Sequence, residues 1–247
     1  HPLFLFSQNS FSLAMKQRFV QTRLGKIAVY SNQIEGENPL LFVHGVYFDH
    51  HLWDEVLGEI RQRPIWTIDM PLHGDSKEGV PLTWSLDDCA TMLLEVLDSL
   101  QLGKVTGIGH SWGSMTLLRA AVKSPQHFQA LGLCNMPFSP SSSGRNAQFR
   151  FQHMMLPFRG FYHKQVGKAL FGEQSLLENS ALQPHLVRSM EKLSSKEIKA
   201  TDKAVILKAD DGNAYLTQLS MPVKGLRGKE DYVGTSPHLS TRVVPGG

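Results

Sequence analysis

Gly109-His110-Ser111-Trp112-Gly113 is the stretch whose reading decides the fold. It fits Gly-x-Ser-x-Gly. Before it runs Lys104-Val105-Thr106-Gly107-Ile108, short and partly β-branched, which reads as a strand. After it, Ser114 to Val122 reads as a helix. A serine on so tight a strand-to-helix turn is held in strained backbone with its hydroxyl exposed. Glycine on either side avoids the collisions a Cβ would make there. The helix that follows aims its first N–H groups at any negative charge forming beside the serine. An ordinary turn is the bland use of such a motif, and the strand and helix around it favour the nucleophile.

Working outward, the chain alternates between strands and helices. Arg18 to Arg23 and Lys26 to Tyr30 read as a hairpin around Gly25, and Leu40-Leu41-Phe42-Val43 as a buried strand ending at His44-Gly45. His51 to Ile60 suits a helix, and Pro64 to Asp69 a strand. Ser85 is placed to cap a long amphipathic helix, Leu86 to Leu100, with Asp87 and Asp88 in its first turn. Ala130 to Cys134 is a further strand. After a break, Pro222 to Arg227 is another, and Thr241 to Val244 the start of one more. A hairpin followed by repeated strand–helix units predicts an α/β fold with a doubly wound, mostly parallel sheet.

The alternation breaks at Pro137. A Pro/Ser/Gly patch leads into helix-like segments crowded with Phe149, Phe151, Met154, Met155, Leu156, Phe158, Phe161 and Tyr162. This reads as a helical insertion with an apolar underside, a cap whose residues Phe151, Met155 and Phe158 are expected to influence substrate choice. The expected organisation is a non-core tail over 1–14, core over 15–136, the cap over 137–200, and core again over 201–247. Near Lys203 to Leu207 a helix is expected.

Composition bounds the function. The chain has 247 residues, 41% hydrophobic and 19% charged, with a net charge of +3. A packed core is expected, and no Lys/Arg stripe points to nucleic acid. No apolar run is long enough to span a bilayer, so no membrane partner and a cytoplasmic location are expected. Cys89 and Cys134 sit in apolar segments and read as reduced core residues. Adjacent His50-His51 lacks further ligands at metal spacing, so neither metal nor cofactor is expected.

Four segments in order give the chain its resemblance to the α/β-hydrolase superfamily. Leu41-Phe42-Val43-His44-Gly45 resembles the His-Gly loop after the third strand. Asp69-Met70-Pro71-Leu72-His73-Gly74-Asp75-Ser76 resembles the Asp-x-Pro-Gly-His-Gly-x-Ser loop. Gly109 to Gly113 resembles the nucleophile elbow, and Gly228-Lys229-Glu230-Asp231 the turn that carries the acid. The resemblance implies Ser111 as nucleophile and Asp231 as the acid orienting a histidine base. It puts the oxyanion-hole donors on the backbone N–H groups of Val46 and Trp112. His44 and His73 are read as loop braces, and His110 as a packing or wall residue.

Two departures carry expectations of their own. Leu72 stands where the family usually has Gly, so that turn is expected to differ locally. The family's histidine follows the last strand, where this sequence reads Pro245-Gly246-Gly247. His238 precedes that strand and does not match. The base is therefore expected beyond Gly247, and residues 1–247 alone are expected to be nearly inactive.

The implied activity is a serine-dependent hydrolase of small-molecule esters or related acyl compounds. Serine at the elbow argues against the haloalkane dehalogenase and epoxide hydrolase branches, which use Asp there. Carboxylesterase, C–C bond hydrolase, peptidase, thioesterase and perhydrolase stay open. The alternative is a non-catalytic ligand-binding or signalling member of the same fold.

Overall fold

The computed structural model describes residues 14–60, 62–231 and 233–245. Nearly all of the tail expected over 1–14 lies outside them. Strands β1 (Lys16–Thr22) and β2 (Gly25–Ser31) form the antiparallel hairpin. Then come β3 (Leu40–Val43), a 3₁₀ turn (His50–Trp53) and α1 (Asp54–Glu59), where one helix was expected. β4 (Ile65–Ile68), α2 (Leu86–Leu100), β5 (Val105–His110), α3 (Trp112–Lys123) and β6 (Phe128–Cys134) follow. Between β6 and β7 lie α4 (Ser143–Met154), α5 (Arg159–Glu178), α6 (Leu182–Glu191) and α7 (Ser195–Asp202). A π-helical turn (Lys203–Leu207) and α8 (Asn213–Leu216) lead to β7 (Val223–Gly228) and β8 (Thr241–Val244).

Among the described residues, eight strands make one sheet in the order β1-β2-β4-β3-β5-β6-β7-β8. β1 and β2 pair antiparallel to their neighbours, and every pairing from β4 to β8 is parallel. Strand periodicity divides the core. Leu41 and Val43 of β3 face the large cluster that includes α2 and α3. Leu40 and Phe42 face a smaller one with Trp53, Leu57 and Ile65. α2 starts at a full capping box, with Ser85 accepting from the Asp88 N–H and Asp88 reaching back to the Ser85 N–H.

Parallel strands gather their C-terminal ends on one edge. β3, β5 and β7 thereby bring the His44, Ser111 and Asp231 segments to the same side of the sheet. Among the described residues, no helix is long and apolar enough to cross a membrane.

Candidate active site

Ser111 links β5 to α3 with φ 48° and ψ −109°. An L-residue held there costs on the order of 1–3 kcal/mol. Its N–H donates to the Cys134 carbonyl of β6 at 2.8 Å, and its own carbonyl accepts from the Met115 N–H at 3.0 Å. The strain is thus held by the neighbouring strand and by the first turn of the helix. Buried Ser114 adds a brace by donating to the Gly109 carbonyl at 2.7 Å.

Glycine is required here by contact. A Cβ on Gly109 would overlap the backbone at Ser114, and one on Gly113 would overlap the Val43 carbonyl. A Cβ on Gly45 would come within 2.5 Å of the His110 Nδ1. The His-Gly loop and the elbow therefore touch backbone to backbone. Among the described residues, the N–H groups of Val46 and Trp112 have no acceptor, and no side chain caps α3. Two free donors beside the Ser111 segment are what an oxyanion hole needs.

The histidines around this edge divide by their bonds. His44 is fully buried, and its Nε2 accepts from the Met70 N–H at 2.9 Å. His73 accepts from the Tyr47 N–H at 3.2 Å, and its Nδ1 donates to the Pro71 carbonyl at 3.0 Å. Burial lowers the pKa of His44, and takes that of His73 down to about 3, so both rings act as neutral braces. His110 lies edge-on to Phe48, its Nδ1 has no partner among the described residues, and burial takes its pKa to about 4.

His50 is held within the fold and not left at the surface. Its ring stacks on Tyr30, and its Nδ1 and backbone N–H both meet Asp69 Oδ1, at 2.9 and 2.8 Å. Asp69 Oδ2 accepts from the Tyr30 hydroxyl and the Asp75 N–H. Burial pushes the Asp69 carboxyl up, but these bonds and the neighbouring histidines hold it below the usual carboxylate range. Leu72 takes φ 69°, the left-handed conformation a glycine would adopt freely.

Asp231 ends the turn after β7. Its Oδ1 accepts from the Val233 N–H at 3.0 Å, while its buried Oδ2 has no partner among the described residues. Burial raises its pKa against the opposing pull of the Val233 N–H and Arg227. The Lys229 N–H donates to the Val244 carbonyl at 2.8 Å, so the chain leaves β8 beside this turn. Among the described residues, no histidine hydrogen-bonds to Ser111 or Asp231, and the Ser111 hydroxyl has no partner.

One relationship had no local signal in the sequence. The three residues after Val46 each hold the inserted helices. The Tyr47 hydroxyl donates to Asp202 Oδ1 at the end of α7 at 2.6 Å, and Asp202 Oδ2 meets His153 of α4 at 2.7 Å. Phe48 packs on Phe171 of α5 and His185 of α6. Buried Asp49 pairs with Lys192 at 2.9 Å. The partners lie far along the chain, Tyr47 and Asp202 being 155 positions apart, and no spacing rule links them.

The expected apolar underside is partly reversed. Phe151 and Phe158 face outward, 64% exposed each. Leu156 and Tyr162 are buried, with Met155 packed against the core beside them. α4 ends at Met154 and Phe158 takes the non-helical φ −98° and ψ 65° before α5 begins, so no single helical face runs through 151–162.

A family model described as "alpha/beta hydrolase fold" matches residues 38–197. Over 134 residues the chain is 28% identical to an (E)-2-((N-methylformamido)methylene)succinate hydrolase of Acinetobacter baylyi, covering 54% of this chain and 50% of that one. It is 29% identical over 114 residues to an sn-1-specific diacylglycerol lipase of Danio rerio, covering 45% of this chain and 35% of that one. The chain spans about half or less of the length of these curated relatives. A thermophilic esterase from Thermogutta terrifontis superposes with a TM-score of 0.78 at 20% identity, covering 93% of this chain and 90% of that one. The enol-lactonase from Burkholderia xenovorans shares the fold at a TM-score of 0.79 and 12% identity, covering 93% and 92%.

Proposed function

Since the chain belongs to the alpha/beta hydrolase fold family, we propose that it is a serine hydrolase of esters or related acyl compounds. The observation that carries this reading is the strained Ser111 at the head of an uncapped helix. Ser111 Oγ attacks the acyl carbon and passes its proton to a histidine base. The oxyanion forms against the Val46 and Trp112 N–H groups, each such donor being worth about 3 kcal/mol. The protonated base gives its proton to the leaving oxygen. Water, deprotonated by the same base, then hydrolyses the acyl-enzyme.

Asp231 is the acid of this reading. Its orphan Oδ2 offers an acceptor for an imidazole N–H. The family's position for the base follows β8, and that strand ends beside the Asp231 turn. The helices between β6 and β7 act as the cap, contacting the loop after β3 through Tyr47, Phe48 and Asp49. Relatives named as a hydrolase and a lipase support the acyl substrate class.

The second reading is a non-catalytic binder of the same fold. It is favoured by the lack of any histidine bonded to Ser111 or Asp231 among the described residues. Assay of the full-length protein on short p-nitrophenyl esters decides. Hydrolysis that falls about a millionfold in Ser111→Ala supports the enzyme. Folded protein with no turnover, or turnover unchanged in the variant, removes Ser111 as nucleophile.

A further inference from the structure

We propose that the corner between α4 and α5 is a docking surface for membranes rich in anionic lipid. Phe151, Met154, Phe158 and Phe161 would enter the interface, and Arg150 and Lys164 would meet the headgroups. The inference does not depend on the catalytic reading.

The four apolar residues are 64%, 69%, 64% and 50% exposed. Phe151 and Met154 close α4, Phe158 precedes α5 and Phe161 lies in its first turn. Turn bonds hold the corner between the two helices: Met155, Phe158 and Tyr162 donate to the Gln152, Met155 and Phe158 carbonyls at 2.9, 2.9 and 3.0 Å. On the inward side, Leu156 and Tyr162 are 1% and 2% exposed. Together the four exposed side chains present apolar area on the order of 400 Å². Scattered surface leucines need no explanation, whereas three phenylalanines and a methionine within eleven residues do.

Charge identifies the occupant. No Asp or Glu occurs between Asp98 and Glu173. The stretch that forms the corner carries Arg145, Arg150, Arg159, Lys164 and Lys168. Arg159 is engaged with the Met190 and Leu193 carbonyls, and Lys168 with Glu173. Arg150 and Lys164 are exposed. One carboxylate approaches from α6. Glu191 lines a cavity of about 570 Å³ together with Arg159, His163 and Lys164.

A bilayer containing anionic lipid offers apolar depth and negative charge at once, which is the pairing this face complements. A second copy docking face to face would bring the same positive charges together, so charge disfavours self-association here. The surface lies on the interface plane and involves no spanning segment.

The test is co-sedimentation of the 247-residue chain with vesicles, of phosphatidylcholine alone and of an equal mixture of phosphatidylcholine and phosphatidylserine. Binding about tenfold stronger to the anionic vesicles, weakening with salt, is expected. The double variants Phe151→Ser with Phe158→Ser, and Arg150→Glu with Lys164→Glu, should each lower that binding about tenfold. Circular dichroism should be unchanged, because all four side chains are exposed. No binding to anionic vesicles, equal binding to both kinds, or binding indifferent to both double variants would overturn the proposal. A lipid-free dimer in sedimentation velocity that dissolves in the Phe151→Ser, Phe158→Ser variant would also overturn it, by showing that a second copy occupies the face.

Discussion

The Tyr47 hydroxyl and the buried Asp202 carboxylate, 2.6 Å apart, tie the loop after β3 to the end of the last inserted helix. Tyr47 sits at φ 69°, a conformation its neighbours must hold in place. Burial raises the pKa of Asp202, and the His153 and Tyr47 hydrogen bonds oppose that rise. The position of Val46 thus rests on a bond to a segment that is itself held by α4.

Tyr47→Phe removes the donor and leaves half of the Asp202 acceptor set unfilled. A loss of about 1.5–3 kcal/mol in unfolding free energy is expected, as for hydrogen bonds to charged groups. Urea denaturation measures it. If Val46 serves the oxyanion, esterase turnover of the full-length protein should fall about tenfold with KM little changed. That is less than the hundredfold or more expected on losing a donor outright.

Asp231→Asn should leave the fold intact, since Oδ1 can still accept from the Val233 N–H. Turnover of the full-length protein should drop about a thousandfold or more, because the amide favours the wrong imidazole tautomer. Steady-state kinetics on a p-nitrophenyl ester checks this. A loss below tenfold would assign the acid to another carboxylate.

Stability should fall in mild acid. Burial lowers the pKa of His73 to about 3 and that of His110 to about 4, whereas an unfolded histidine titrates near 6.5. Below about pH 6.5 the unfolded chain binds protons that the folded chain refuses. The stability these two rings contribute is complete above that pH. It declines down to about pH 4 for His110 and about pH 3 for His73. Each contributes up to about 1.4 kcal/mol per pH unit. Urea midpoints between pH 7 and 5 should show the decline, and His110→Gln should flatten its slope.

Leu72→Gly weighs two effects. Glycine relieves a left-handed conformation that costs roughly 1–2 kcal/mol. It also deletes a leucine side chain that is 3% exposed, a loss of about 2–5 kcal/mol for comparable truncations. The expected result is net destabilisation of about 2 kcal/mol, read by thermal or urea unfolding. Increased stability would mean that the side chain packs less well than its burial implies.

Local rules made the elements around Ser111 readable. Ser85 and Asp88 announce a capped helix, Gly25 a hairpin, and the glycines at 109 and 113 an elbow, because each signal acts within a few residues. His44 and His73 proved to be braces as expected, since a buried ring between two loops needs partners. The orientation of Phe151 and Phe158 was not readable. Composition shows that a helix is apolar, but which side faces the core depends on what packs there. The Asp202 link to Tyr47 was hidden for the same reason, as a contact across the fold leaves no periodic trace.

The long connection between β6 and β7 has a consequence for how such a chain diversifies. The two strands pair at Leu131, Gly132, Leu133 and Cys134 against Val223 to Leu226, none of which belongs to the intervening helices. Closing a loop twice as long costs only about 0.6 kcal/mol more. Lengthening or replacing those helices therefore leaves the carboxylate turn at the end of β7 almost where it was. Tyr47, Phe48 and Asp49 set the limit on that freedom. A replacement segment must also supply a hydrogen-bond acceptor, an aromatic surface and a cation to them, so what is inherited as a unit is this three-residue socket together with whatever plugs into it.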